Sequence, residues 1–196
     1  MRVRLGVLAV VTLTLGGLLA LACADEETAP GVPSAQPGTE ARDFREFAGL
    51  IARAAAEGDV GFFASRVQPE PYTCSEQEVT EGALGGAEAG LCERAGQRLD
   101  LVFLGFWQSE GLYTTPERLA REIEDRLVGD VSLYATARSP SAFYQGRSLY
   151  TAILTAGIAI DFEYVGRRWV IRGMSFGGPQ ELLDPDTTPY SEWERY

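Results

Sequence analysis

The chain has 196 residues, a net charge of -11 and no histidine, and it also contains no lysine and no asparagine. Without His there is no Ser-His-Asp triad, no Cys-His pair and no imidazole metal ligand; without Lys there is no Schiff base, Ser-Lys dyad or P-loop lysine. Acidic surfaces repel phosphate backbones, so no nucleic-acid partner is expected, and the residue types present suggest neither a metal nor a cofactor.

Arg2 and Arg4 open the chain, a run of apolar residues follows to Ala22, and Ala20-Leu21-Ala22-Cys23 closes it. This order predicts a secretory signal over 1–22. With Cys23 directly after Ala22, the segment resembles a bacterial lipoprotein signal, although that family prefers leucine where Ala20 stands. The resemblance implies cleavage before Cys23 and acylation of Cys23, palmitate included. The domain would then be lipid-anchored to the membrane, in the cell envelope outside the cytoplasmic membrane. Ordinary cleavage after Ala22 and an uncleaved membrane span remain as alternatives, and both also place the domain outside. Removal of Arg2 and Arg4 takes the net charge from -11 to -13.

An acylated Cys23 leaves Cys74 and Cys92 as an even pair in an oxidising compartment. This predicts a disulfide, with a loop worth about 3 kcal/mol in the chain-entropy picture. A redox or metal pair is the alternative, but the spacing is far from C-x-x-C and no other soft ligand is present. Residues 23–41 are rich in Pro, Gly, Ala, Ser and acidic residues without apolar periodicity, and read as a flexible tether. A single domain is expected over 42–177 and a Gly- and Pro-rich tail over 178–196.

Within the domain, Asp43 to Glu57 reads as an amphipathic helix with Phe44, Phe47, Leu50, Ile51 and Ala54 on one face. Asp43 and Glu46 form a capping pair, and Gly58 stops the helix. Asp59 caps a short second helix carrying Val60, Phe62, Phe63 and Val67, ended by Pro69 and Pro71. Pro71 to Ala95 reads as a loop holding the cysteines; its Gly82–Gly90 stretch matches no phosphate-binding motif. Leu99 to Trp107 reads as a strand. Thr114-Thr115-Pro116-Glu117 starts a helix with Leu119, Ile123 and Leu127 as its buried stripe and Gly129 as its stop. Glu122, Glu124 and Asp125 face solvent among arginines and are no carboxylate site. Val131–Ala137 and Ser148–Thr155 read as strands, with Ser-Leu-Tyr recurring at 132–134 and 148–150. The strongest pattern is Ile158 to Phe176: two alternating runs broken at Gly166, a β-hairpin.

Two motifs tempt. Gly173-Met174-Ser175-Phe176-Gly177 matches the nucleophile elbow G-x-S-x-G, but Gly178-Pro179 follows where a helix is needed and no His exists to take the serine proton. Asp184-Pro185-Asp186-Thr187-Thr188 matches a phosphatase D-x-D-x-T start, but it lies in the tail of a chain without lysine, and two carboxylates fall short of a calcium site.

The element order predicts an α+β fold, with N-terminal helices packed on an antiparallel sheet of about four to five strands. It resembles the nuclear transport factor 2-like (SnoaL-like) superfamily, on Leu50 to Phe63 (helix, Gly-Asp break, second helix) and Phe162 to Arg172 (the closing hairpin). The resemblance implies a curved, cone-like sheet. It also implies a family with enzymes that use an Asp or Tyr inside the cone and members without activity. Asp100 shares a strand face with Val102, Leu104 and Phe106. It is therefore the candidate catalytic carboxylate, with Tyr134 or Tyr150 assisting, although a solvated strand end is the better reading. The preferred function is a non-enzymatic domain that binds a small apolar ligand or an envelope protein. The alternatives are a carboxylate/tyrosine-dependent isomerase or hydrolase, and an envelope structural protein whose aromatic tail docks elsewhere. No sequence motif marks a ligand-binding residue.

Overall fold

The computed structural model describes residues 43–81, 86–106, 111–139, 147, 149–183 and 190–196. The signal, Cys23, the tether, Gly82–Gly85, Trp107, Ser148 and the Asp184–Thr188 motif lie outside the described residues.

Helix α1 (Phe44–Glu57) begins where the Asp43 carboxylate accepts from the Arg45 amide at 2.9 Å, and it ends at Gly58, whose φ of 62° only glycine adopts freely. The buried face carries Phe44, Phe47, Ala48, Ile51, Ala54 and Ala55. Leu50 is not on it and stays 42% exposed. At 3.6 residues per turn it falls about 120° from Phe44, outside the stripe. Helix α2 (Val60–Ala64) is capped by Asp59, which accepts from the Phe62 amide at 2.9 Å. It stops at Ser65, before either proline. Beyond it, the backbone at Arg66 and Gln68 bonds to both sides of Ile171.

The stretch expected as one long loop contains two elements. Strand β1 (Glu70–Thr73) tolerates Pro71 because it lies at a sheet edge. Helix α3 (Glu76–Glu81) sits inside the disulfide loop closed by Cys74 and Cys92. Strands β2 (Arg98–Phe106) and β3 (Leu112–Thr114) follow, then helix α4 (Pro116–Arg126). Thr115, not Thr114, caps α4 by accepting from the Arg118 amide at 3.2 Å; Thr114 is buried in β3. Leu119, Ile123 and Leu127 are buried as the periodicity predicts.

Strands β4 (Leu133–Arg138), β5 (Tyr150–Leu154), β6 (Ile158–Val165), β7 (Arg168–Phe176) and β8 (Ser191–Arg195) complete a sheet of order β1-β2-β7-β6-β5-β4-β8, with β3 on β2. This mixed fold has eight strands among the described residues, not four to five. All ladders are antiparallel except β2 with β7. The hairpin turn is Gly166-Arg167, with φ of 58° and 72°, the doubly positive pair that suits strand twist. The segment expected as a tail enters the sheet: β8 pairs with β4.

Helices α1, α2 and α4 cover one face. There Phe44, Phe47, Phe63, Phe162 and Trp169 form the main core with Val102, Leu104, Ile158, Ile160, Ile171 and Met174. The rings pack on one another, Phe47 stacking on Trp169 at 5.6 Å. On the second face, Leu182, Leu183 and Tyr190 bury Ala135, Ala137, Ile153 and Ala159. Strands β6 and β7 are thus central and covered on both sides, so the buried run Ile158 to Phe162 includes Asp161.

Candidate functional site

Asp100, the sequence candidate, is exposed and pairs with Pro71 across the β1–β2 ladder. It stands exposed near the start of β2, which matches the solvated-strand-end reading. Tyr150 is half-buried, stacked on Phe44 at 4.8 Å. Tyr134 packs beside the second-face cluster. Asp100, Tyr134 and Tyr150 therefore do not converge. Ser175 lies within β7, paired with Ala159, and no strand-to-helix elbow forms around it.

Among the described residues the buried carboxylate is Asp161, 2% exposed. A bulge in β7 explains its surroundings. Phe162 pairs with Ile171 but Asp161 pairs with Gly173, leaving Arg172 as the extra residue. Gly173 and Arg172 thereby share the second face with Asp161 and Glu163. Thr151, opposite Asp161 on β5, donates its hydroxyl to the carboxylate at 2.5 Å. Tyr190 closes the row, with its phenol hydrogen-bonded to Thr151 and Ser175. Burial, then the nearby Asp161 charge, pushes the Tyr190 phenol well above the usual 10. One row on, Arg147 grips Glu70 with both terminal nitrogens (2.7 and 2.6 Å) and reaches Glu163 at 3.0 Å. Arg172 bonds Glu163 at 2.6 Å and the Gln68 carbonyl at 3.2 Å. The Glu70 hydrogen bonds foremost hold the Arg147 guanidinium above its ordinary pKa. Two arginines and two glutamates thus neutralise one another between β1, β6 and β7, as partly buried charges require.

A second hub lies in the disulfide loop. Glu78 accepts from the Ser75 amide at 2.6 Å, from the Ala87 amide at 2.7 Å and from the Tyr72 hydroxyl. Ser75 returns the contact by accepting from the Glu78 amide at 3.2 Å, so Ser75-x-x-Glu78 is a capping box. Partial burial alone would raise the Glu78 pKa. The hydrogen bonds from Tyr72, Ser75 and Ala87 overcome it and draw the carboxyl down to about 2. Glu88 joins this loop to α4, accepting from Thr114 at 2.5 Å and pairing with Arg118 at 2.7 Å.

An open concavity among the described residues lies elsewhere. A groove of about 370 Å³ lies where the start of α1 meets β4, β5 and β8, lined by Asp43, Phe44, Arg45, Thr136, Arg138, Tyr150, Glu192 and Glu194 among others. Arg138 holds its guanidinium over the Tyr150 ring at 4.6 Å. Arg45 pairs with Glu194 at 3.0 Å, and Arg138 reaches Glu192 at 3.7 Å. The groove therefore offers an aromatic floor and charges of both signs.

No protein-family model, no curated protein and no solved structure matches this chain. The chemistry rests on its own residues. Among the described residues no group of three or more acidic or cysteine ligands is placed to hold a metal, and no helix is long and apolar enough to cross a membrane. Sequence reasoning missed Asp161 and the groove. The signal for Asp161 was a carboxylate inside the most strongly patterned strand. The signal for Glu78 was Ser75-x-x-Glu78 itself. Arg138, Glu192 and Glu194 carry no local signal, because two of them lie in a segment read as tail.

Proposed function

We propose that this chain is a lipid-anchored extracytoplasmic binding protein, tethered through Cys23, that takes a small ligand in the groove between α1, β4 and β8. One observation carries the reading. The strongly buried charges of the second face are committed to protein partners, whereas the groove combines an accessible ring, Tyr150 on Phe44, with exchangeable surface ion pairs. The bonded Cys74–Cys92 pair fits an oxidising compartment. The aromatic side chains that suggested an apolar ligand are largely spent on one another in the core, so the ligand is polar with a small apolar body. The cone-like curvature and kinship with the nuclear transport factor 2-like superfamily belong to this proposal, supported by helices on one face of a large, mostly antiparallel sheet. Native mass spectrometry of the protein released from its own envelope tests the reading. A carried mass of roughly a few hundred daltons is expected for a site of this size. That mass should disappear in Tyr150→Ala, and its persistence there would refute the groove as the site.

A second reading is a carboxylate/tyrosine isomerase or hydrolase, and the buried Asp161 beside Tyr190 is the observation that favours it. Turnover that is lost in both Asp161→Asn and Tyr190→Phe, with both variants folded, would establish it. Turnover surviving in either would end it.

A further inference from the structure

The groove's charges specify a ligand class. Its lining carries three carboxylates (Asp43, Glu192, Glu194) and two guanidiniums (Arg45, Arg138) around Tyr150 and Phe44. The Asp43 carboxylate is occupied with the α1 amide, whereas the ion pairs of the four other charges among the described residues are surface contacts with one another, Arg138 also lying over the Tyr150 ring. The Arg138–Glu192 contact is the looser, at 3.7 Å with the Glu192 side chain 73% exposed. Glu192 also sits at φ 53°, a left-handed backbone that a glutamate adopts only under constraint from the irregular β4–β8 pairing. Surface pairs of this kind contribute little and exchange readily.

We infer that the groove takes a zwitterionic aminocarboxylate with a short apolar body. A ligand carboxylate replaces Glu192 on Arg138, where a planar guanidinium offers two parallel hydrogen bonds. The ligand ammonium is accepted by the released Glu192 and by Glu194. The body lies against the half-buried Tyr150 ring, which Phe44 backs from the core. A monoanion satisfies the guanidinium but deepens the negative charge of the lining on a chain of net charge -11. A monocation satisfies a carboxylate but competes with Arg138 for the same ring. Only a ligand with both charges makes both contacts and leaves the net charge of the groove unchanged.

This inference rests on the groove being the ligand site, and three probes separate the two claims. Phenylalanine, phenethylamine and 3-phenylpropionate differ only in which charged group they carry. Each is titrated calorimetrically into the full-length protein as isolated, with nuclear magnetic resonance shifts followed at Thr136, Ala137 and Tyr150. Phenylalanine is expected to bind at least about tenfold more tightly than either analogue, with shifts at those residues, and Arg138→Gln to remove that advantage. If an analogue binds in the groove as tightly as phenylalanine, or Arg138→Gln leaves the preference intact, the zwitterion class is overturned while the groove stands. If none of the three shifts the groove residues up to millimolar concentration, both claims fall.

Discussion

Replacing Glu78 by glutamine removes one negative charge from the centre of the disulfide loop while keeping the shape of the side chain. The carboxylate ties together three separate pieces: β1 through Tyr72, the start of α3 through Ser75, and the returning chain through Ala87. Gly86 is needed beside it, since a side-chain carbon there would fall on the Glu78 carboxylate. A fall in pKa from 4.5 to about 2 corresponds to at most about 3–4 kcal/mol, and solvent around the partly exposed carboxylate reduces this to about 1–2 kcal/mol. The sign follows from linkage. The folded pKa lies below the unfolded one, so the stabilisation is complete above about pH 4.5 and fades as pH falls toward about 2. Urea unfolding followed by fluorescence, with Trp169 buried in the core as a reporter, measures it. Glu78→Gln should be less stable than the parent by about 1–2 kcal/mol at pH 7. The gap should shrink steadily below pH 4.5 and be at most half as large near about pH 3. A gap of the same size at pH 7 and pH 3 would refute the charge argument and assign the loss to the exchange of an accepting oxygen for a donating amide facing the Ser75 and Ala87 amides.

Cys74→Ser combined with Cys92→Ser should lower unfolding stability by about 3 kcal/mol, and the melting temperature of the double variant should then be insensitive to reductant. Gly49 stands exposed within α1 with nothing within 4 Å of where a side-chain carbon would sit. Gly49→Ala should therefore raise stability by about 1 kcal/mol in chemical denaturation. Thr151→Val leaves the buried Asp161 carboxylate without its 2.5 Å donor and should cost about 2 kcal/mol, read by the same method. The Tyr190 phenol has a folded pKa above its unfolded value of 10. Its stabilisation is thus complete below pH 10 and declines as pH rises beyond it, and Tyr190→Phe should flatten that alkaline slope.

Local chemistry fixed a recognisable part of this protein before any fold was known. The α1 stripe with its Asp43 and Gly58 caps, the Asp59 cap of α2, the Leu119-Ile123-Leu127 stripe of α4 and the hairpin turn at Gly166 are each set by residues a few positions apart. The pairing of Cys74 with Cys92 followed from cysteine arithmetic. Capping also reached Glu78 through Ser75-x-x-Glu78, a signal present in the sequence and passed over there.

Tertiary structure decided the rest, because the deciding partners are distant in sequence or on the opposite face of the sheet. Asp100 and Asp161 are the same residue type within strands, yet one is solvated and the other buried. What separates them is position. Asp100 lies near the open start of β2, whereas Asp161 lies in a central strand covered on both faces. Arg147 finds Glu70 across 77 positions of chain, a pairing no window of sequence contains. The parallel β2–β7 ladder, the bulge at Arg172 and the entry of β8 beside β4 are non-local pairings of the same kind. The groove exists only because that last pairing brings Glu192 and Glu194 to Arg138 and Arg45. Sequence patterns report which face of an element is apolar; only the assembled sheet determines what covers the other face and which charges meet there.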